Sequence, residues 1–106
     1  MQAHLENGTL RLAFAGDILS TNVAQKRLAL LAQLAAHPTA TAIVADLTLS
    51  RAIDSQGLNL LIALYRECER RHLAFHAENP APEVLRLFIA LKLAERFGLQ
   101  PALASP

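Results

Sequence analysis

Ala42-Ile43-Val44-Ala45-Asp46-Leu47 and, one short loop later, Ile53-Asp54-Ser55-Gln56-Gly57-Leu58 decide how this chain folds. The first stretch is short, apolar and partly β-branched, interrupted only by Asp46, and reads as a central strand buried on both faces. The second opens a long helical pattern over residues 55–72, with Leu58, Leu61, Ile62, Tyr65 and Cys68 on one stripe and Arg66, Glu67, Arg70 and Arg71 opposite. A buried strand leading into an amphipathic helix is half of a parallel crossover unit.

The junction carries a hydroxyl, Ser55, where the helix begins. Backbone N–H groups there lack helical partners and the dipole is positive, so a phosphate on Ser55 would be well placed. Taken alone, Asp54 and Ser55 read more simply as capping residues. Gly57 falls in the first turn, where glycine costs up to about 1 kcal/mol against alanine. Something must approach closely there: either the helix start packs tightly against the sheet, or a partner lands on a surface poor in side chains. Asp46, ending the strand, is placed to bind loop N–H groups or to lie near Ser55.

Toward the N-terminus, Leu10, Leu12 and Phe14 alternate with Arg11 and Ala13, a strand period, and Asn7-Gly8 before them is a hairpin signal that makes residues 2–6 a first strand. Gly16 and Asp17 end the second strand, and Ser20, Thr21 or Asn22 can cap a helix built on Val23, Arg27 by its stem, Leu30, Leu31 and Leu34, closed by Pro38. Toward the C-terminus, Leu73 to Ala77 is a strand, Asn79-Pro80 a turn, and Pro82 opens a third helix through Val84, Leu85, Leu87, Phe88 and Leu91. A last short helical piece from Leu93 to Phe97 stops at Gly98. The expectation is an α/β fold: a small mixed sheet of four to five strands with an N-terminal hairpin, strands two to four parallel, covered by about four helices. Residues 1–98 form one domain, and 99–106 a short tail, at most a weak last strand.

Composition narrows the function. The chain has 106 residues, 53% of them hydrophobic, enough for one core. Its net charge is +1, and the clustered Arg66, Arg70 and Arg71 share a helix with Glu67 and Glu69, which argues against nucleic acid as a partner. Only 5% of residues are aromatic, with no Trp to stack bases. No apolar run approaches the roughly 18 residues that span a bilayer, and the polar N-terminus carries Glu6, so a cytoplasmic protein without direct membrane contact is expected. Cys68 is the single cysteine and lies on the apolar stripe, a core thiol that suits a reducing compartment.

Enzymatic readings fail on spacing. His72 and His76 stand four apart, but the helix ends between them, and neither His4 nor His37 completes a metal set. Around Ser55 the nucleophile-elbow pattern is missing, as Ile53 stands where its first glycine belongs. There is no phosphate-binding loop and no dinucleotide fingerprint. Asp46 as a receiver-type phosphoacceptor would require an acidic pair after the first strand and a later lysine, and neither appears in order. The chain is therefore expected to bind, without catalysis, cofactor or metal.

The stretches already quoted, with Leu61-Ile-Ala-Leu-Tyr-Arg and Glu78-Asn-Pro-Ala-Pro-Glu-Val-Leu-Arg-Leu-Phe, resemble STAS domains, named for sulfate transporters and anti-sigma factor antagonists. The likeness runs from the first hairpin to Gly98, and Asp-Ser-x-Gly-Leu with a downstream Asn-Pro helix start is its most specific part. The single-domain members that this chain resembles are bacterial anti-anti-sigma factors. The resemblance implies binding to an anti-sigma factor serine kinase of the histidine-kinase-like ATPase fold, and release when that kinase phosphorylates Ser55. Asp54, Gln56, Gly57 and Leu58 would flank that site, Asp17 would join the contact surface, and Asp46 would shape it. The chain departs from the family at Leu19, where an acid is common, and at Gln56, where Ser or Ala is common. These departures motivate an alternative: a STAS subunit that is not phosphorylated and supports the ATPase of a lipid-transport ABC system.

Overall fold

Asn7 (φ 52°) and Gly8 (φ 81°) both adopt the left-handed region, the backbone that a two-residue hairpin needs to follow strand twist. They join β1 (Gln2–Glu6) to an antiparallel β2 (Thr9–Ala13), with Gln2 opposite Ala13 and Glu6 opposite Thr9. β2 pairs in parallel with β3 (Ala42–Asp46), and β3 with β4 (Ala74–Glu78), giving a sheet of order β1-β2-β3-β4. Helices α1 (Val23–Ala36) and α2 (Ser55–Arg70) make the crossovers, and α3 (Pro82–Ala90) follows β4. The computed structural model describes residues 1–99. The mixed α/β sheet with its hairpin is the expected one.

The three described helices cover one face of the sheet. Leu10, Leu12, Ile43, Ala45, Phe75 and Ala77 join helical residues such as Leu30, Leu61 and Phe88 in a single buried cluster. The opposite face carries Arg11, whose guanidinium lies 2.7 Å from Glu78 and 3.6 Å from Asp46. β3 is buried on both faces, as its apolar run suggests, with the helices on one of them. Val44 stands outside the core cluster, yet is only 8% exposed. Its register neighbours are Arg11 and His76, so shielding comes from within the sheet face.

The buried centre of α2 also differs from the expected stripe. Leu60 and Leu64 are buried with Leu61 and Cys68, while Leu58, Ile62 and Tyr65 form a half-buried flank. The cause is α1, whose Leu30 and Leu34 lie against the Leu60 and Leu64 side. The helix ends at Arg70 because His72 turns left-handed (φ 59°), and the Leu73 N–H then donates to the Cys68 carbonyl at 2.8 Å.

Among the described residues there are three helices, not four. Lys92 (φ 58°) terminates α3, and residues 93–97 make one turn in which the Phe97 N–H donates to Leu93 O at 3.0 Å. Gly98 (φ 71°) closes it, with the Leu99 N–H donating to Ala94 O at 2.8 Å. Two left-handed residues six apart leave no room for a longer helix. The segment instead runs past the outer edge of β4, where the Ala77 N–H donates to Phe97 O at 2.7 Å. The Phe97 ring packs edge-on against Phe88 and Phe75 at centroid distances of 5.0 and 5.6 Å. The weak last strand expected after Leu99 lies outside the described residues.

Candidate functional site

β2 and β3 are parallel, so the loops that follow them leave the sheet at the same end and run side by side. Ile18 and Ile53 pair as an isolated parallel bridge, with the Ile18 N–H on Ala52 O at 3.1 Å and the Asp54 N–H on Ile18 O at 3.3 Å. Two carboxylates lock the pair reciprocally. Asp17 of the first loop accepts from the Arg51 and Ala52 N–H groups of the second, both at 3.0 Å. Asp54 of the second loop accepts from the Ser20 N–H of the first at 2.7 Å. Ser50, fully buried, adds a third tie by donating to the Gly16 carbonyl at 2.8 Å.

Asp54 does two tasks. Its other carboxylate oxygen caps α2, accepting from the Gly57 N–H at 2.9 Å. The Gly57 N–H, then the Ser20 N–H, hold its carboxyl below the ordinary carboxylate range. Because Asp54 caps the helix, Ser55 does not. Ser55 occupies the first helical position, is exposed, and among the described residues its hydroxyl enters no side-chain hydrogen bond. Gln56 beside it is also exposed, and Leu58 is half-buried against the core.

Gly57 is buried, and a Cβ at its position would stand 2.0 Å from the Ile18 carbonyl oxygen. The close approach demanded by that glycine is made by the chain's own first loop. This is the tight-packing alternative, and it explains how the two loops and the helix start form one rigid block. Asp46 orders the start of the second loop. It accepts from the Thr48 N–H at 3.0 Å and hydroxyl at 2.6 Å, from Asn79 at 3.4 Å, and pairs with Arg11. Burial pushes its pKa up, but the Thr48 and Asn79 hydrogen bonds and Arg11 outweigh this and leave it below the usual value. Ser55 is not among its hydrogen-bond partners.

Some members of this block are poorly signalled by sequence. Ser20 and Asn22 appear there only as alternative caps. In the structure Asn22 precedes α1 but makes no side-chain bond to the helix; it ties the turn, accepting from the Leu19 N–H at 3.0 Å and donating to Asp17 O at 2.9 Å. Leu19, at the position where the family pattern has an acid, is half-buried. Ser50, between Leu49 and Arg51, has no sequence signal. No group of three metal-ligating side chains occurs among the described residues, and burial pushes the Cys68 thiol up to about 11, far from thiolate chemistry at neutral pH. No described helix is long and apolar enough to cross a membrane.

Comparison with known proteins adds a family. The family model described as Mlab, STAS domain, matches residues 1–101. Among solved structures, the unphosphorylated anti-sigma factor antagonist SpoIIAA superposes with a TM-score of 0.64 at 22% identity, over 83% of this chain and 80% of that one. A sulfate transporter family protein from Wolinella succinogenes superposes with a TM-score of 0.73 at 16% identity, over 90% of this chain and 75% of that one. At these identities the two structures speak to fold alone. No curated protein matches the sequence.

Proposed function

This chain belongs to the STAS domain family described by Mlab, and from that premise we propose that it is a regulatory binding module, an anti-sigma factor antagonist switched off by phosphorylation of Ser55. One observation carries the reading: Asp54 caps α2, which leaves the Ser55 hydroxyl exposed and unengaged at the positive end of the helix. The contact surface is Ser55 with Gln56, on a platform held by Asp17, Asp54, Gly57 and Leu58, with Asp46 shaping the loop that leads to it. The partner is an anti-sigma factor serine kinase of the histidine-kinase-like ATPase fold, and the setting is the cytoplasm.

The switch follows from charge. Phosphorylation adds about 1.5 to 2 negative charges, and at a helix start these gain roughly 0.3 to 1 kcal/mol, so the fold tolerates them. Buried against a partner that offers no cation, the same group costs several kcal/mol, at about 1.4 kcal/mol per tenfold of affinity. The fold survives and the complex does not. Incubation with the co-purifying kinase and ATP, followed by mass spectrometry, tests the modification: an unmodified Ser55 removes it. A Ser55→Asp protein that binds the kinase as tightly as wild type removes the charge mechanism.

A second reading has its own observation. The matching family description names Mlab and not anti-sigma antagonism, and exposed Gln56 stands beside Ser55 where the family commonly has a smaller Ser or Ala. On this reading the same platform binds constitutively to the ATPase of a lipid-transport ABC system. Identifying the ATPase that co-purifies with the full chain separates the two.

A further inference from the structure

α1 and α2 link parallel strands of one sheet, so they run the same way and their positive starts fall at the same end. A groove lies between them. At that end Arg27 faces Gln56 and Asn59; farther along, Leu31 and Leu34 face Leu60 and Leu64. From Ala24 to Leu34 it is about 15 Å long at 1.5 Å per residue, the length of about ten residues of helix. Leu31 is 49% exposed, and Leu28, also on α1, 69%. A helix face turned to water is ordinarily rich in charge, and Leu31 on the rim of the groove, with Leu28 beside it outside the groove, leaves this face apolar instead.

The charges of α1 are equally telling. It holds no acidic residue, and its only charged side chains, Lys26 and Arg27, sit near its start, where cations oppose the dipole. Lys26 is engaged by the Ala15 carbonyl, whereas Arg27 enters no ion pair among the described residues. Glu67, at the other end of the groove, is already taken by Arg70 and Arg71. The trough is therefore apolar in its middle, where Leu31 stands on the rim above buried Leu34, Leu60 and Leu64, and polar toward its start, where Gln56 and Asn59 border an unneutralised cation beside two positive helix starts. Complementarity defines what fits: an apolar stripe with a carboxylate at one end.

We propose that the α1–α2 groove docks an amphipathic helix of a partner protein, with the helix's aliphatic side chains against Leu31 and Leu60 and a carboxylate over Arg27. Gln56 borders both this groove and the Ser55 platform, so one partner can occupy the two together. The test uses the full chain and a helix-stapled, fluorescein-labelled 14-residue peptide, with leucines at i, i+3, i+4 and i+7 and two glutamates at one end. Fluorescence anisotropy is expected to show saturable binding, weakened at least tenfold by Leu31→Glu and at least fivefold by Arg27→Glu. A peptide with lysines for glutamates binds wild type weakly and Arg27→Glu better, a reversal that misfolding cannot mimic. No saturable binding to wild type, or equal binding to all variants, overturns the proposal. Binding to phosphatidylglycerol vesicles without peptide binding overturns it in favour of a lipid surface. Self-association abolished by Leu31→Glu, again without peptide binding, overturns it in favour of a second copy. Neither kinase nor ATP enters the assay, so its failure is distinct from a failure at Ser55.

Discussion

The two parallel helices of this fold begin in opposite ways. α2 starts under a carboxylate cap, with a glycine pressed onto the neighbouring loop and that loop tied down by Asp17, Asp54 and Ser50. α1 starts after Asn22, which bonds to its own turn and not to the helix, and its first turns hold cations in place of acids. The difference teaches where rigidity is concentrated. A surface that must present one hydroxyl in a fixed orientation is built on backbone N–H groups gathered by carboxylates, and the helix beside it is held chiefly by its buried leucines.

Gly57→Ala is the severest way to break this contrast. Its Cβ would meet the Ile18 carbonyl at 2.0 Å, where backbone must move, and a loss of about 3 kcal/mol is expected in urea unfolding. Next, Asp54→Ala removes the cap and the Ser20 tie together and should lower the urea midpoint more than Asn22→Ala; the reverse order would erase the distinction between the two helix starts.

Acid sharpens the same comparison. Asp54 and Asp46 titrate below their ordinary 3.8, and Glu67, held by Arg70 and then Arg71, falls from 4.5 to about 2. Depressed carboxylates contribute stability that is complete above their unfolded pKa values and is lost as pH falls through the folded ones. Stability measured by urea should thus be flat near neutrality and decline from about pH 4.5 toward pH 2, less steeply in Asp54→Asn. The smallest effect belongs to Ser55→Ala. With its hydroxyl unengaged, unfolding should shift by no more than about 0.5 kcal/mol, while any phosphate incorporation at that position disappears.

Legibility in the sequence follows the range of the interaction. The Asn7-Gly8 hairpin and the α2 period are local, and both appear in the structure close to where the residues place them. The reciprocal bonds of Asp17 and Asp54 span 34 and 35 residues, and no spacing rule announces them. Gly57 is intermediate: its cost in a helix signals a close approach, but which chain approaches is a tertiary fact. The apolar run of β3 states that its side chains are buried without stating by what: Val44 is buried as expected, and its register neighbours are Arg11 and His76. Residues 93–97 have helical composition, but the left-handed Lys92 is not a residue type that advertises a break.

The bond from the Ala77 N–H to the Phe97 carbonyl has a consequence for synthesis. A chain emerging from the ribosome finishes β4 at Glu78, 19 residues before Phe97, whose carbonyl satisfies its outer edge. Until Phe97 arrives, the edge of β4 is open and the aromatic cluster lacks its central ring. That interval is when a nascent copy is most exposed to strand pairing with a neighbour. The domain becomes safe from its own sheet only when the turn through Phe97 is made.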